Sequence, residues 1–205
     1  MSVDLVVARY CEDISWISAA PDAWNRVVYD KSQGGPRQRI TVGSWSSADG
    51  PEEAELWPYS VPLENVGTET HTYMTHIVRC WDGLADYTVF LPGDAQRHVP
   101  SVLSLAEEGI MQTLGYVPFG DHYVCDSRGR PNVPHGFDEL SEGFKIFYPN
   151  QPLPATFCWT GFSMFLARRD RIQRFSLQQW QKATSWCQLK IHALAMERLH
   201  DLLLG

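Results

Sequence analysis

The fold is decided by residues 3–29, VDLVVARYCEDISWISAAPDAWNRVVY. Residues 3–8 form an apolar, β-branched run that is typical of a buried strand, and residues 26–29 repeat this character. Between them, Ile14 and Ile17 lie three residues apart, which favours a short helix. A strand, a helix and a strand within about 30 residues make a βαβ unit, so we predict that the two strands are parallel.

The rest of the chain continues this alternation. Apolar side chains recur at i, i+3, i+4 and i+7 over Glu69–Trp81, which predicts a helix capped by Thr68. The other predicted elements are strands at 87–91 and 157–167, a helix at 100–114 and one or two helices at 177–204. Gly and Pro are frequent in 32–63 and 116–156, which predicts loops there, with at most one short strand near 39–42. We therefore expect one α/β domain over residues 1–205, with a mostly parallel central sheet flanked by helices.

Composition and charge exclude several protein classes. Hydrophobic residues make up 44% of the chain and charged residues 20%, which is ordinary for a globular domain and excludes a disordered or collagen-like chain. The net charge of −7 argues against a broad basic face for nucleic acid. No apolar run approaches the ~20 residues that span a bilayer, and the first residues lack a signal-peptide pattern. These features predict a cytoplasmic protein without a membrane span.

The cysteines are predicted to be free thiols. The five are Cys11, Cys80, Cys125, Cys158 and Cys187. Their odd number, their wide spacing and the lack of a C-x-x-C pair argue against a zinc knuckle. Reduced and mostly buried thiols fit this pattern best.

Polar side chains follow each predicted strand. They are Arg9, Tyr10 and Glu12 after the first strand, Asp30 and Lys31 after the second, and Asp94 and His98 after the third. In an open parallel sheet, ligands bind beyond the carboxyl ends of the strands. Arginine and lysine match a phosphate charge, tyrosine offers a stacking face, and acids hold a ribose or a metal. The pattern therefore indicates a nucleotide or phosphate ligand, unless these are simply the polar residues that end strands in any sheet.

The segment before the clearest helix is a second candidate site. Asn65, Gly67 and Glu69 precede or begin this helix, whose backbone N–H groups could bind an anion, although the Glu69 charge would repel one. His71 and His76 point about 140° apart on a helix and cannot share a metal ion. Glu69, Thr72 and His76 fall near one side of the helix and could line a cleft. Simple capping is the alternative for this segment.

Several motifs are absent, and this narrows the choice of activity. The sequence has no P-loop, G-x-G-x-x-G, H-E-x-x-H, G-x-S-x-G or Asp-x-Asp pattern. These absences argue against kinases, nicotinamide enzymes, zinc proteases and α/β-hydrolases. His122 lies in the predicted 116–156 loop, where it either lines a site or ties loops together.

Three blocks of the sequence resemble DUF3431, a family of small glycosyltransferase-like domains. VVARYCEDISWI at 6–17 is similar to VVARYNEDLSWL, and ENVGTETHTYMTHI at 64–77 is similar to NVGRESHTYLYHI. LADYTVFLPG at 84–93 is similar to LADYTVFLQG. The sequence similarity extends over most of the chain and is strongest at residues 3–31 and 64–94.

The resemblance implies a GT-A-like (Rossmann-like) fold and a glycosyltransferase that moves a sugar from a nucleotide-sugar donor to an acceptor hydroxyl. By this analogy the donor would contact Ala8, Arg9, Tyr10, Glu12, Asp30, Lys31, Asn65 and Gly67. Asp94, with His98 as a second ligand, would hold Mn²⁺ or Mg²⁺ beside the diphosphate. The candidates for a catalytic base are Asp94, Glu69, His122 and Glu197.

Two departures from the family pattern leave other functions open. Thr68 stands where the family block has arginine, and the single acid Asp94 stands where an Asp-x-Asp pair is usual. One alternative is a catalytically inactive module that binds nucleotide sugars or acts as a scaffold. Another is a metal-dependent phosphoester hydrolase that uses Asp94, His98 and His122. The acceptor stays open among a glycan, a small molecule, a protein and a modified nucleic-acid base.

Overall fold

The structure is a computed structural model that describes residues 1–32, 60–120, 123–127 and 137–205. Its strands are β1 (Val3–Arg9), β2 (Asn25–Asp30), β3 (Ser60–Pro62), β4 (Tyr87–Pro92), β5 (Tyr116–Pro118), β6 (Tyr123–Ser127), β7 (Thr156–Thr160) and β8 (Phe165–Arg168). Its helices are α1 (Thr68–Arg79), α2 (Ala95–His98), α3 (Val102–Met111), α4 (Phe137–Phe147), α5 (Arg169–Ile172), α6 (Leu177–Trp186) and α7 (Lys190–Leu204). Short 3₁₀ turns lie at Ser15–Ala19, Trp81–Gly83 and Gly161–Ser163.

A six-stranded sheet of order β3–β2–β1–β4–β8–β5 forms the centre of the molecule. The first four of these strands are parallel, and β8 runs antiparallel to both β4 and β5. The predicted βαβ unit is confirmed, with the 3₁₀ turn Ser15–Ala19 in place of the helix. The prediction of a mixed α/β domain with a mostly parallel sheet is also confirmed.

Both faces of the sheet are buried. Val6 and Ala8 of β1 belong to a core formed with α1, α4, α6 and α7, whereas Leu5 and Val7 belong to a second core formed with α3. Alternate residues of a strand point to opposite faces, so β1 needs apolar side chains at nearly every position. This is why the strand appears in the sequence as a continuous apolar run.

Some local predictions are wrong. Gly67 precedes α1, and Thr68 is its first residue rather than its cap. Residues 116–156 contain β5, β6 and α4 instead of one long loop. The predicted strand at 157–167 is divided by the turn Gly161–Ser163 into β7 and β8. The short strand predicted near residues 39–42 falls outside the described residues.

A disulfide bond corrects the prediction for two cysteines. Cys125 and Cys158 lie opposite each other on the antiparallel strands β6 and β7 and are bonded. Disulfide bonds persist mainly in oxidising compartments, so this bond argues against the cytoplasmic location predicted from the sequence. Within the described ranges, no helix is both long and apolar enough to cross a bilayer.

Candidate functional site

The parallel strands end at one edge of the sheet, and the candidate residues gather there. Arg9 and Asp30 are register partners at the ends of β1 and β2. The backbone N–H of Gly93, directly after β4, donates to the carbonyl oxygen of Ala8 at 2.8 Å. Because β8 runs against β4, its first residue, Phe165, also lies at this carboxyl edge. Segments that are far apart in sequence therefore meet at one place.

Arg9 and Asp30 form a buried ion pair at this edge. Arg9 Nη1 lies 2.7 Å from Asp30 Oδ2, and Asp30 is almost completely buried. Arg9 Nε also donates to the carbonyl oxygen of Glu12 at 3.0 Å. Asp30 Oδ1 accepts from the backbone N–H of Ser32 at 2.8 Å. Both charged groups are therefore bound to the protein itself, and they hold the loops after β1 and β2 in shape.

Glu12 joins the loop after β1 to the loop after β4. Its Oε2 accepts from the backbone N–H of Tyr10 at 2.6 Å. A Cβ atom on Gly93 would lie only 2.7 Å from this oxygen, so a side chain at residue 93 would displace Glu12. The indole N–H of Trp16 donates to the carbonyl oxygen of Gly93 at 2.8 Å. The two loops are therefore held together as one surface.

Lys31 connects the end of β2 to the start of α1. Its Nζ donates to the carbonyl oxygen of Val66 at 2.6 Å and to that of Thr68, and the residue is buried. Burial lowers the pKa of Lys31 to about 8, and the negative charge of Glu69 opposes this shift. Lys31 therefore places a positive charge near Glu69.

Glu69, grouped here with Asp94 and Glu197 as the carboxylate cluster, interacts electrostatically with each of the other two. Burial raises the pKa of Glu69; Lys31 lowers it, and Asp94 raises it further. Burial also raises the pKa of Glu197 to about 7, and Glu69 adds to this shift. Glu69 of α1 therefore lies within electrostatic range of both Glu197 of α7 and Asp94, the residue before α2.

Asp94 is the member of the carboxylate cluster that contacts a histidine. Its Oδ2 lies 3.2 Å from Nε2 of His98, and its side chain is 37% exposed. The His98 ring in turn stacks on Phe162, with ring centroids 4.4 Å apart and planes inclined by 23°. A ligand from solvent can therefore reach Asp94, and the contact with His98 fixes the orientation of the Asp94 carboxylate.

The predicted metal site consists of Asp94 and His98. No group of three or more His, Cys, Asp or Glu side chains suited to a metal ion occurs in the part of the chain that the structure describes. Mg²⁺ is commonly held by one or two carboxylates together with substrate phosphates, so Asp94 fits a cation that arrives with a diphosphate. In the present arrangement His98 Nε2 faces Asp94, and His98 acts as its hydrogen-bond partner.

The remaining predicted residues occupy different environments. Asn65 is exposed in the loop before α1, and His122 lies outside the described residues. Gly67 is buried with a φ of +61°, and its α-carbon faces the carbonyl oxygen of Cys187. Gly67 therefore packs the start of α1 against the end of α6.

His76 lies away from the cleft suggested by its spacing to Glu69. It is fully buried, and its Nε2 lies 3.4 Å from Asp4 Oδ2 at the start of β1. Its Nδ1 is 3.2 Å from the Tyr29 hydroxyl oxygen. Asp4 lies near the amino end of β1, whereas Glu69 lies at the carboxyl edge of the sheet. The prediction that His76 and Glu69 line one cleft is therefore wrong.

Residues 5–196 match the model of a family described as "Protein of unknown function (DUF3431)". The chain belongs to the DUF3431 family. No curated protein and no solved structure matches this DUF3431 chain. The family description assigns no activity.

Sequence patterns missed two parts of this DUF3431 site. The sequence places Tyr73 only in the apolar stripe of α1, yet its buried hydroxyl has no hydrogen-bond partner among the described residues. Burial and then the charges of the carboxylate cluster raise the pKa of Tyr73 well above its usual value. Phe162 and Ser163 both have positive φ, which no pattern of non-glycine residues signals.

Substitution of Glu197 by glutamine is expected to stabilise the DUF3431 protein at alkaline pH. The pKa of Glu197 is about 7 in the folded protein against an ordinary value of 4.5. Because the unfolded chain releases this proton first, stability is lost as pH rises from 4.5 to about 7. Glutamine does not ionise, so the Tm of Glu197→Gln should exceed that of the wild type by about 5 °C or more at pH 8 and match it near pH 4.

Thermal melts at both pH values measure this effect. Glu107→Gln on α3 is a matched control, because Glu107 is exposed and its melting temperature should change little at either pH. A Tm difference for Glu197→Gln that is equal at pH 4 and pH 8 would show that the buried charge is not its cause.

Proposed function

We propose that this DUF3431 protein is a glycosyltransferase of GT-A-like fold that moves a sugar from a nucleotide-sugar donor to an acceptor hydroxyl. The observation that carries the proposal is the carboxylate cluster beside Lys31 at the carboxyl edge of a parallel sheet. Ligands of open α/β sheets bind at this edge. Carboxylates whose pKa is raised by burial are suited to accept a proton.

The loops after β1 and β4 would form the nucleotide subsite. The side chains of Arg9, Glu12 and Asp30 are bound within the protein, so their role in this proposal is to fix the backbone. The backbone around Ala8 and Tyr10 would then line the nucleotide directly. A rigid, prearranged backbone lowers the entropy that a ligand loses on binding.

Donor binding should require a divalent cation. The carboxylate cluster would repel a diphosphate, and the nearby Lys31 ammonium already donates to two carbonyl oxygens. Mn²⁺ or Mg²⁺ held by Asp94 and the diphosphate oxygens would neutralise the charge of the departing diphosphate. His98 would orient Asp94 for this contact.

Glu69 is the best candidate for the base. Burial raises its pKa, which makes its carboxylate a stronger proton acceptor than an ordinary glutamate. In the proposed step, the acceptor oxygen forms a bond to the anomeric carbon while the bond from that carbon to the diphosphate oxygen breaks. The bonding electrons leave with the nucleoside diphosphate, and the hydroxyl proton passes to Glu69. The buried Tyr73 hydroxyl could donate to a ligand oxygen next to this group.

A thermal-shift screen followed by a turnover assay tests the proposal. Nucleoside diphosphates and nucleotide sugars with Mn²⁺ should raise the Tm by about 5–10 °C at 100 times their Kd, and EDTA should abolish the shift. The stabilising nucleotide sugar should then release its nucleoside diphosphate. Stabilisation without any release would support the inactive binding module instead, and no stabilisation by any nucleotide would contradict both.

A further inference from the structure

The turn Gly161–Ser163, which joins β7 to β8 at the carboxyl edge, has an unusual backbone. Phe162 has φ 73° and Ser163 has φ 45°, so two successive non-glycine residues adopt the left-handed region. This conformation is unfavourable for residues with a side chain and persists only where surrounding contacts hold it. Such strain is often found near functional sites.

Contacts from two helices hold this turn. Ser163 Oγ lies 3.3 Å from Nδ1 of His200 on α7 and 3.5 Å from the Thr70 hydroxyl oxygen of α1. Ser163, Thr70 and His200 are all buried. The turn is therefore fixed against α1 and α7.

The fixed backbone directs the Phe162 ring onto His98. The two rings stack at 4.4 Å between centroids, and Nε2 of the same imidazole lies 3.2 Å from Asp94 Oδ2. A series of contacts therefore runs from Phe162 through His98 to Asp94.

We infer that Phe162 is a positioning residue of the candidate site: its ring holds His98 against Asp94. The inference rests on the proposed function for the importance of Asp94. The contacts themselves can be tested without any activity.

The experiment that tests this inference compares Phe162→Leu with the conservative variant Phe162→Tyr. NMR signals of the His98 ring protons report the contact, since a stacked aromatic ring shifts them upfield. We expect Phe162→Tyr to keep the wild-type signals and kcat. Phe162→Leu should move the His98 signals downfield, lower kcat for donor turnover at least about tenfold and weaken Mn²⁺-dependent binding of the nucleoside diphosphate.

Each outcome decides the inference. Unchanged His98 signals in Phe162→Leu would overturn the proposed contact, and shifted signals with an unchanged kcat would overturn the positioning role. If the wild-type protein turns over no donor, the proposed function fails, whereas the NMR comparison still decides whether Phe162 holds His98.

Discussion

Asp94→Ala is expected to abolish sugar transfer while leaving the protein folded. Asp94 is the exposed carboxylate of the cluster and the proposed cation ligand, so its loss should lower kcat by about 100-fold or more. Its side chain makes no capping hydrogen bond to α2, and more than a third of it is exposed. The Tm should therefore change by no more than about 2 °C.

The comparison needs an isosteric variant and a control. Asp94→Asn keeps the size of the side chain and an oxygen for His98 but removes the charge, so it should be almost as inactive as Asp94→Ala. Asp82→Asn, in the exposed turn Trp81–Gly83, makes the same chemical change away from the site and should be fully active. Both activity and Mn²⁺-dependent binding of a nucleoside diphosphate should be measured. Normal transfer by a folded Asp94→Ala protein would refute the role assigned to Asp94.

Gly67→Ala is expected to cause the largest loss of stability. The residue has a φ of +61°, and an added Cβ would lie 1.8 Å from the carbonyl oxygen of Cys187 and 2.7 Å from Cβ of His71. Neither neighbour can move without shifting the start of α1 or the end of α6. The combination of overpacking and an unfavourable backbone should cost about 3 kcal/mol or more, which lowers the Tm by roughly 10 °C.

Gly83→Ala is the matched control for this substitution. Gly83 is exposed, and nothing lies within 4 Å of the position of its Cβ. Its Tm should remain within a few degrees of the wild-type value, as measured by circular dichroism under identical conditions. Equal stability of Gly67→Ala and Gly83→Ala would show that the contact between Gly67 and Cys187 is not as tight as described.

Much of the fold could be predicted because buried elements leave periodic patterns. The apolar runs of β1 and β4 and the stripe of α1 fill a two-sided core, and their residue types are constrained accordingly. α4 was missed although Leu140, Phe144 and Phe147 recur at helical spacing and are buried, because Gly143 and nearby prolines suggested a loop. The pairing of β6 with β7, and hence the disulfide bond, depends on contacts across more than 30 residues that no local pattern encodes.

The candidate site could be predicted in part for a similar reason. Arg9, Asp30 and Asp94 lie at or just after the ends of recognisable strands. A parallel sheet necessarily gathers such residues at one edge. The side chains to which these residues bind could not be foreseen, because hydrogen bonds such as that between Arg9 and Asp30 depend on rotamers. The stacking of Phe162 on His98 depends on a left-handed backbone, which the sequence does not indicate.

The most direct test is an experimental structure of the protein with Mn²⁺ and the nucleoside diphosphate that stabilises it best. We expect the diphosphate to lie at the carboxyl edge, with Mn²⁺ about 2 Å from an Asp94 oxygen. A groove at the opposite edge, lined by residues that include Asp86, Arg168 and Arg169, offers an anion a competing location. A diphosphate bound in that groove, with the carboxylate cluster uncontacted, would contradict the proposal.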